Sequence, residues 1–374
     1  MSELARLFLK LGLTSFGGPA VHIAMMRDEV VERRRWMSDE EFLDLMGATN
    51  LIPGPNSTEL AIHIGRIRAG FKGLITAGAC FILPAVIVVL GFAWAYVEYG
   101  TTPAGEALLY GIEPMVIAIV AIALVSLGQT AMKDAWLTGA GVASLALYLG
   151  GVNELIVLFG VGIVAMIIKV FPDIRARASL IAPMPLAQLA AQVESVRDVG
   201  LDRLFLVFLK VGALLYGSGY VLLAFLRGDL VDNLGWLTDA QLTDAVAVGQ
   251  MTPGPLFSTA TFVGYVLGGL AGAGVATLGI FLPSFVFVAA TGPLVRRARD
   301  SAWTSAFLDG VNVAAIGLMA GVTWQLGRDA IVDVPTAILF LVALGLLLRF
   351  RLNSAWIVLA GAGAGLALSY AGVI

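Results

Sequence analysis

The chain has 374 residues and a net charge of −3, with 59% hydrophobic and only 13% charged residues. Soluble proteins carry roughly 25% charged residues, so this composition predicts an all-α polytopic membrane protein instead. The weak net charge offers no basic field to phosphates, which excludes nucleic-acid binding as a main role. With one cysteine and two histidines, we expect no disulfide framework, no metal site and no cofactor.

Apolar stretches long enough to cross a bilayer, about 20 residues, recur along the chain. In chain order they fall at 4–26, 73–97, 107–131, 135–151 and 153–170, and then at 204–226, 270–294, 303–326, 334–349 and 353–373. Between the first two stretches of each set lie segments 40–66 and 240–266, which are interrupted by proline. The first stretch could itself be broken at Phe16-Gly17-Gly18-Pro19.

The interruptions are two Pro-Gly-Pro triplets, Pro53-Gly54-Pro55 and Pro253-Gly254-Pro255. Proline removes a backbone donor and disfavours helix in the residue before it, so each triplet must interrupt its helix. Each remaining arm is too short to cross a bilayer alone, and we therefore predict one re-entrant hairpin per triplet. Ordinary helices with tolerated proline kinks remain the alternative.

The two triplets belong to an internal repeat, because Phe8-Leu9-Lys10 also matches Phe208-Leu209-Lys210. Loops 27–41 and 66–72 carry seven Lys or Arg residues, whereas their counterparts in the second half carry only Arg227. Conversely, Arg296, Arg297 and Arg299 follow the second half's long span and have no counterpart in the first half. By the positive-inside rule, the halves carry opposite orientation signals.

These signals predict two repeats of inverted topology, each with five transmembrane helices and one re-entrant hairpin. The first repeat covers residues 1–171 and the second covers 204–374. Residues 172–203 form a cytoplasmic linker, and both termini are expected on the far side of the membrane.

Inverted repeats with interrupted helices are typical of secondary transporters, which bind substrate where the repeats meet. A half-helix start presents unpaired N–H groups and the positive end of the helix dipole, which suits an anion. The alternative is that the nearby polar side chains only cap their own helices. The candidate substrate-binding residues are Phe16, Gly17, Gly18, Asn50, Pro53, Gly54, Pro55, Asn56, Ser57 and Thr58, and Gly217, Ser218, Gly219, Gln250, Thr252, Pro253, Gly254, Pro255, Ser258 and Thr259.

Lys10 and Lys210 lie at equivalent depths within apolar stretches. Because intramembrane charge usually faces a cavity or a partner, we also predict that these lysines bind substrate, as countercharges for an anion. The alternative is that they extend to the membrane interface.

Proton coupling needs a titratable group inside the membrane. Glu59 is our first candidate, since it lies one turn beyond the first triplet and has Thr259 as its counterpart. Its alternative role is that of a hydrogen-bonded structural carboxyl group. The further candidates, which also break the repeat symmetry, are His22, Glu113 and Asp309.

Several motifs together resemble the chromate transporter family in its long, internally duplicated form. They are Ser15-Phe16-Gly17-Gly18-Pro19, Glu32-Arg33-Arg34-Arg35-Trp36, both Pro-Gly-Pro triplets, Gly235-Trp236-Leu237-Thr238-Asp239 and Gly279-Ile280-Phe281-Leu282-Pro283. The resemblance implies a multi-pass inner-membrane protein that exports chromate, a tetrahedral dianion similar to sulfate, and so confers chromate resistance. Tyr216-Gly217-Ser218-Gly219-Tyr220 is similar to the family's aromatic-glycine pattern, with Ser218 where glycine is common.

Two other functions remain open: a sulfate or general oxyanion carrier or exchanger, and an anion channel. A membrane enzyme is not expected, because the sequence has no His-Glu-x-x-His motif and Ser218 has no histidine in its own half. Besides membrane lipid, the expected partners are chromate and, as competitor or counter-ion, sulfate. A homodimer is plausible, although the duplication already supplies two halves to a monomer.

Overall fold

The computed structural model describes residues 1–16, 18–49, 51–174, 199–216, 219–290, 301–350 and 352–374. All regular structure in these ranges is helical, and the same order of helices occurs in both halves. The first half contains α1 Ser2–Thr14, α2 Pro19–Arg27, α3 Asp39–Thr49, α4 Asn56–Tyr99, α5 Pro103–Ala131, α6 Ala135–Leu149 and α7 Glu154–Ile174. The second half contains α8 Leu201–Leu214, α9 Leu222–Leu226, α10 Asp239–Met251, α11 Thr259–Ala290, α12 Ala302–Ala330, α13 Val334–Phe350 and α14 Ser354–Tyr370.

Four helical segments of the described chain are long and apolar enough to cross a membrane. They are Asn56–Tyr99, Pro103–Ala131, Leu256–Ala290 and Trp303–Ala330. Shorter apolar helices, among them α6, α13 and α14, accompany them. The prediction of an all-helical polytopic membrane protein is confirmed.

The stretch 4–26, for which the sequence left a continuous and a broken helix open, is broken. α1 ends at Thr14 and α2 begins at Pro19, whose fixed φ and missing N–H suit a helix start rather than a helix interior. The Glu3 carboxylate lies 3.1 Å from Arg34 Nη1, so the beginning of α1 lies beside the loop that follows α2. The N terminus is therefore on the same side as this basic loop, not on the far side as predicted.

The stretch at 204–226 is likewise divided, into α8 and α9. A π-helical turn follows each of the short second helices, at Asp28–Arg33 after α2 and at Arg227–Asn233 after α9. Most of the predicted linker, residues 175–198, lies outside the described residues, as do the arginines of 291–300.

α4 reverses direction near its beginning. Gly70 has φ 59°, a conformation that glycine adopts without steric cost. In a straight helix Gly65 and Gly73 would be about 12 Å apart, yet a Cβ atom on either would collide with the carbonyl group of the other. Segment 56–68 therefore folds back onto 71–99. The second half repeats this reversal in α11 at Gly269, with Gly264 against Gly272.

Close packing of small residues joins each half to the other. Gly111 of α5 lies against the backbone of Gly361 and Gly365 in α14. Its repeat counterpart Gly310 of α12 lies in the same way against α7, at Val161 and Ala165. Lipid tails are as apolar as a leucine side chain, so this close approach of backbones is an important source of helix association in a bilayer.

The equivalent helices α5 and α12 pack against each other in opposite directions. Ile117 of α5 lies next to Gly327 near the end of α12. Ile117 is in the middle of α5, and just after the end of α5 Lys133 Nζ lies 2.8 Å from the carboxylate of Asp309 near the beginning of α12. An increase in residue number along α5 thus corresponds to a decrease along α12, which defines an antiparallel pair at the centre of the bundle.

Candidate functional site

Both Pro-Gly-Pro triplets interrupt their helices, as the sequence predicts. α3 ends before the first triplet and α4 begins at Asn56, directly after Pro55. In the second half, a short 3-10 turn at Leu256–Ser258 separates the triplet from α11. No side-chain hydrogen bond caps either start, so the positive end of the helix dipole remains available there.

The glycine of each triplet bonds to the opposite half. The Gly54 N–H donates to the carbonyl oxygen of Leu215 at 2.8 Å, and the Gly254 N–H donates to that of Ser15 at 2.9 Å. Ser15 and Leu215 are repeat counterparts, each directly following the first helix of its half. The φ angles of 136° at Gly54 and 91° at Gly254 favour glycine. The two tips are therefore joined by a reciprocal pair of backbone hydrogen bonds.

Glu59 lies at one of these contacts. Its side chain is completely buried, and neither carboxylate oxygen has a hydrogen bond within the described part of the chain. A Cβ atom on Gly54 would collide with this carboxylate and lie 2.8 Å from Ser284 Oγ of α11. In the second half, the counterpart Thr259 instead bonds to the carbonyl of Leu256 at 2.8 Å. A lone carboxyl group thus occupies only one of the two cross-half contacts.

His22 connects α2 to the beginning of α4. Its Nε2 lies 3.1 Å from the Ser15 carbonyl oxygen, and its Nδ1 lies 3.2 Å from Ser57 Oγ. Because a carbonyl oxygen can only accept, Nε2 carries the hydrogen, and in the neutral ring Nδ1 accepts from the Ser57 hydroxyl. The second half has Leu222 and Phe257 at the corresponding positions, so this polar link is also unique to the first half.

A cavity of about 970 Å³ adjoins the first-half tip. Of the predicted site residues, it is lined by Phe16, Asn56, Gly219 and Asp309. The other polar side chains of its wall are Ser126, Thr130, Lys133, Ser305, Asn312, Asn353 and Ser354. The cavity thus brings the start of α4 together with a polar face of α5 and α12.

The two intramembrane lysines have carboxylate partners and do not line this cavity. Lys10 Nζ lies 2.6 Å from Glu29 Oε1, and Lys210 Nζ lies 2.5 Å from Asp229 Oδ1. Both carboxylates belong to the π-helical turns, and the hydrogen bond from Lys10 holds the pKa of Glu29 below its ordinary value. The role of these lysines as countercharges for an anion stays a prediction.

The remaining proton-coupling candidates lie apart from Glu59. Asp309 is paired with Lys133 and Lys169 at one end of the cavity. Glu113 of α5 lies within electrostatic range of Asp244, which accepts a hydrogen bond from the hydroxyl of Tyr96 at 2.9 Å.

The other predicted binding residues differ in their surroundings. Thr252 Oγ1 donates to its own helix at Val248, and the Gln250 carbonyl accepts from Ser354 Oγ at 3.2 Å. The hydroxyl groups of Thr58 and Ser258 are buried without a hydrogen bond to any described residue. Gly17, Asn50, Gly217 and Ser218 lie outside the described residues.

Sequence reasoning missed three polar residues of this region: Ser284, Lys133 and Lys169. Comparison of the two halves contains a signal for the first two, because Ser284 corresponds to Ala85 and Lys133 corresponds to Val332. At such positions one half has a polar residue where the other half has an apolar one, which indicates a different role for that position in the two halves.

The apolar helices, the broken tips and the adjoining cavity define a polytopic membrane protein with a cavity that some polar side chains line. The sequence profile described as "Chromate transporter" matches residues 2–167 and 203–366. The chain therefore belongs to the chromate transporter family, and the resemblance seen in its motifs is confirmed. This is a family of transporters.

Relatives match nearly the whole chain. It is 33% identical to the chromate transport protein of Cupriavidus metallidurans over 366 residues, which cover 97% of this chain and 91% of the relative. It is 34% identical to that of Pseudomonas aeruginosa over 349 residues, covering 89% and 83%. A probable chromate transport protein of Synechococcus elongatus is 32% identical over 355 residues, covering 92% and 89%. No solved structure matches the chain.

A double-mutant cycle tests the link between His22 and Ser57. We expect His22→Ala and Ser57→Ala to show a coupling energy of about 0.5–3 kcal/mol, because each removes the other's hydrogen-bond partner. Stability would be measured by denaturant unfolding of the purified protein in detergent. The half-buried Thr76, whose hydroxyl donates to the Lys72 carbonyl of its own helix, provides the control, because Thr76→Ala combined with His22→Ala should be additive. Additive effects for the His22–Ser57 pair would contradict the assigned bond.

Proposed function

We propose that this protein is a secondary active transporter that moves chromate by alternating access. The observation that carries the proposal is the reciprocal bonding of the Pro-Gly-Pro tips next to a cavity that has polar and charged side chains in its wall. Membership of the chromate transporter family supports chromate as the substrate. Interrupted helices at the interface of two repeats are the usual site of substrate binding in such transporters.

We propose that residues 1–171 and 204–374 are inverted repeats with re-entrant hairpins. The antiparallel packing of α5 and α12 supports this, because a two-fold axis relating antiparallel helices is perpendicular to them. For helices that cross a bilayer, such an axis lies in the membrane plane. Each half then has four crossings, not the five predicted, and most of connection 172–203 lies outside the described residues.

The anion seat in this proposal is the beginning of α4. Asn56 lies in the cavity wall, and Ser57 and Thr58 follow it in the first turn, where neutral donors and the helix dipole can hold an oxyanion. The corresponding residues Leu256 and Phe257 of the second half are apolar. The proposed seat is therefore centred on the first half, and the second triplet supports it through the bond from Gly254 to Ser15.

Glu59 is the proposed proton carrier. An ionised carboxylate without a partner is very costly to bury, so we infer that Glu59 holds a proton in this conformation. A movement of the halves that exposed Glu59 to water would allow the proton to leave. Its position beside Gly54 connects this proton to the tip that forms the anion seat.

We further propose that the protein lies in the inner membrane, that net flux is export, and that it thereby confers chromate resistance. These points are supported by the family resemblance. The second candidate function, a sulfate or general oxyanion carrier, is favoured by the neutral donors of the seat, since hydroxyl and amide groups would bind any tetrahedral oxyanion.

Chromate uptake into inside-out membrane vesicles tests the substrate and the mode of transport. We expect saturable uptake that increases with an imposed proton gradient and that sulfate inhibits only weakly. Sulfate transport equal to chromate transport would favour the general oxyanion carrier. Uptake that neither saturates nor responds to the gradient would favour a channel and would contradict the proposal.

The variant Glu59→Gln tests proton coupling in the same vesicles. Glutamine keeps the size of the side chain but cannot release a proton, so gradient-driven uptake should fall at least tenfold, equivalent to about 1.4 kcal/mol. Chromate binding to the purified variant should persist. The matched control is Glu98→Gln, an exposed position on the same helix, which should transport normally. An unchanged gradient dependence in Glu59→Gln would exclude Glu59 as the carrier.

A further inference from the structure

One end of the cavity carries a cluster of three charged side chains. The carboxylate of Asp309 in α12 accepts hydrogen bonds from Lys133 Nζ at 2.8 Å and from Lys169 Nζ at 3.1 Å. Lys133 and Asp309 line the cavity, and Lys169 reaches the same carboxylate from α7. Two ammonium groups thus converge on one carboxylate, which leaves one positive charge uncompensated within the cluster.

We propose that this cluster is a collecting site for tetrahedral oxyanions. A dianion entering the cavity takes over Lys133 and Lys169 from the carboxylate of Asp309. The carboxylate of Asp309 then serves as the partner of the two lysines until the substrate binds. It is not a proton carrier in this proposal. The inference rests on the proposed function and adds an entry site to the transport path.

The exposure of the three side chains permits this exchange. The Lys133 and Lys169 side chains are 61% and 60% exposed, whereas that of Asp309 is 17% exposed. The exposed ammonium groups can turn toward an anion in the cavity, and the dianion then replaces the carboxylate of Asp309 as their partner. Each ammonium group carries three donors, and charge-assisted hydrogen bonds to an oxyanion are stronger than bonds between neutral groups.

The cavity wall leads from the cluster to the proposed anion seat. Ser305, Asp309 and Asn312 are spaced four and three residues apart, which places them on one face of α12. The hydroxyl and amide side chains along the wall are Ser305 and Asn312 on α12, Ser126 and Thr130 on α5, and Asn56 at the start of α4. An oxyanion released by the lysines therefore has neutral donors on its way to the tip of the first hairpin.

The second half lacks the cluster. Asp134 and Asp333 cap α6 and α13 in the same way, and Asn153 and Asn353 do so for α7 and α14. This alignment gives Lys133, Lys169 and Asp309 the counterparts Val332, Ser369 and Tyr110.

The counterpart site carries a negative charge instead. The Tyr110 hydroxyl donates to Asp333 Oδ2 at 2.6 Å, and this bond holds the pKa of Asp333 below its ordinary value. In this proposal a dianion is attracted at the lysine end, whereas the counterpart positions at the opposite end provide no lysine. The charge difference between the ends favours collection at one face and release at the other.

The lysine end belongs to the face with the basic loops. The crossings 71–99 and 103–131 separate loop 66–72 from Lys133, and two crossings return the chain to the face where it began. Arg66, Arg68 and Lys72 assign this face to the cytoplasm by the positive-inside rule. Collection of the anion would thus take place on the cytoplasmic side, as export requires.

Isothermal titration calorimetry of the purified full-length protein with chromate tests whether the cluster binds the anion. Asp309→Asn removes the internal competitor but keeps the shape of the side chain, so it should bind chromate several-fold more tightly than the wild type. The double variant Lys133→Gln/Lys169→Gln should bind about tenfold more weakly. Lys72→Gln, an exposed lysine on the same face but outside the cavity wall, should bind as the wild type does.

Weaker or unchanged binding by Asp309→Asn would overturn the proposal, because a merely structural ion cluster predicts no gain in affinity. If that variant does not fold, amine-reactive labelling of the wild type replaces it. Chromate should protect Lys133 and Lys169 but not Lys72, and an absence of protection while chromate binds would overturn the proposal. A wild type that binds sulfate but not chromate would contradict the proposed substrate, and titration of the same variants with sulfate would then test the cluster.

Discussion

Two backbone hydrogen bonds hold the broken helix tips against the opposite half, and the polar interior is arranged around them. Gly54 donates to Leu215, and Gly254 donates to Ser15. Unpaired backbone groups are very costly at membrane depth, so each non-helical triplet depends on the other half for its stability. If the two halves move relative to each other, either each tip moves together with the residue to which it is bonded, or these two hydrogen bonds break and other bonds replace them. The tips are thereby mechanically connected to the movement that we propose for transport.

The two halves have the same order of helices but differ in their polar and charged side chains. The first-half tip has Glu59 and Ser57 where the second-half tip has Thr259 and Phe257. The α5–α12 pair shows the same difference, with Lys133 and Lys169 around Asp309 at one end of the pair and Tyr110 bonded to Asp333 at the other. In the proposed mechanism, two similar halves supply two conformations of similar energy, and the unequal residues provide the sites for the anion and the proton.

Sequence reasoning succeeded where the determinants are local and failed where they are tertiary. Proline and glycine act on their own backbone, so the breaks at the triplets and the repeat itself could be predicted. The stretch 4–26 is mostly apolar, and hydropathy alone does not distinguish one crossing helix from two short helices that return. The contact that decides between them joins Glu3 to Arg34. Similarly, Lys169 resembles an ordinary interfacial lysine, because its partner Asp309 is 140 residues away in the sequence.

Inversion of the two halves is the central claim, and cysteine labelling in spheroplasts of an expression host tests it most directly. Phe71 and Leu270 are 67% and 72% exposed and directly follow the two chain reversals. Phe71→Cys and Leu270→Cys would be made separately in a Cys80→Ser background and treated with a membrane-impermeant maleimide. The account predicts that Leu270→Cys reacts from outside and that Phe71→Cys reacts only after the membrane is opened. Labelling of both positions from the same face would contradict it.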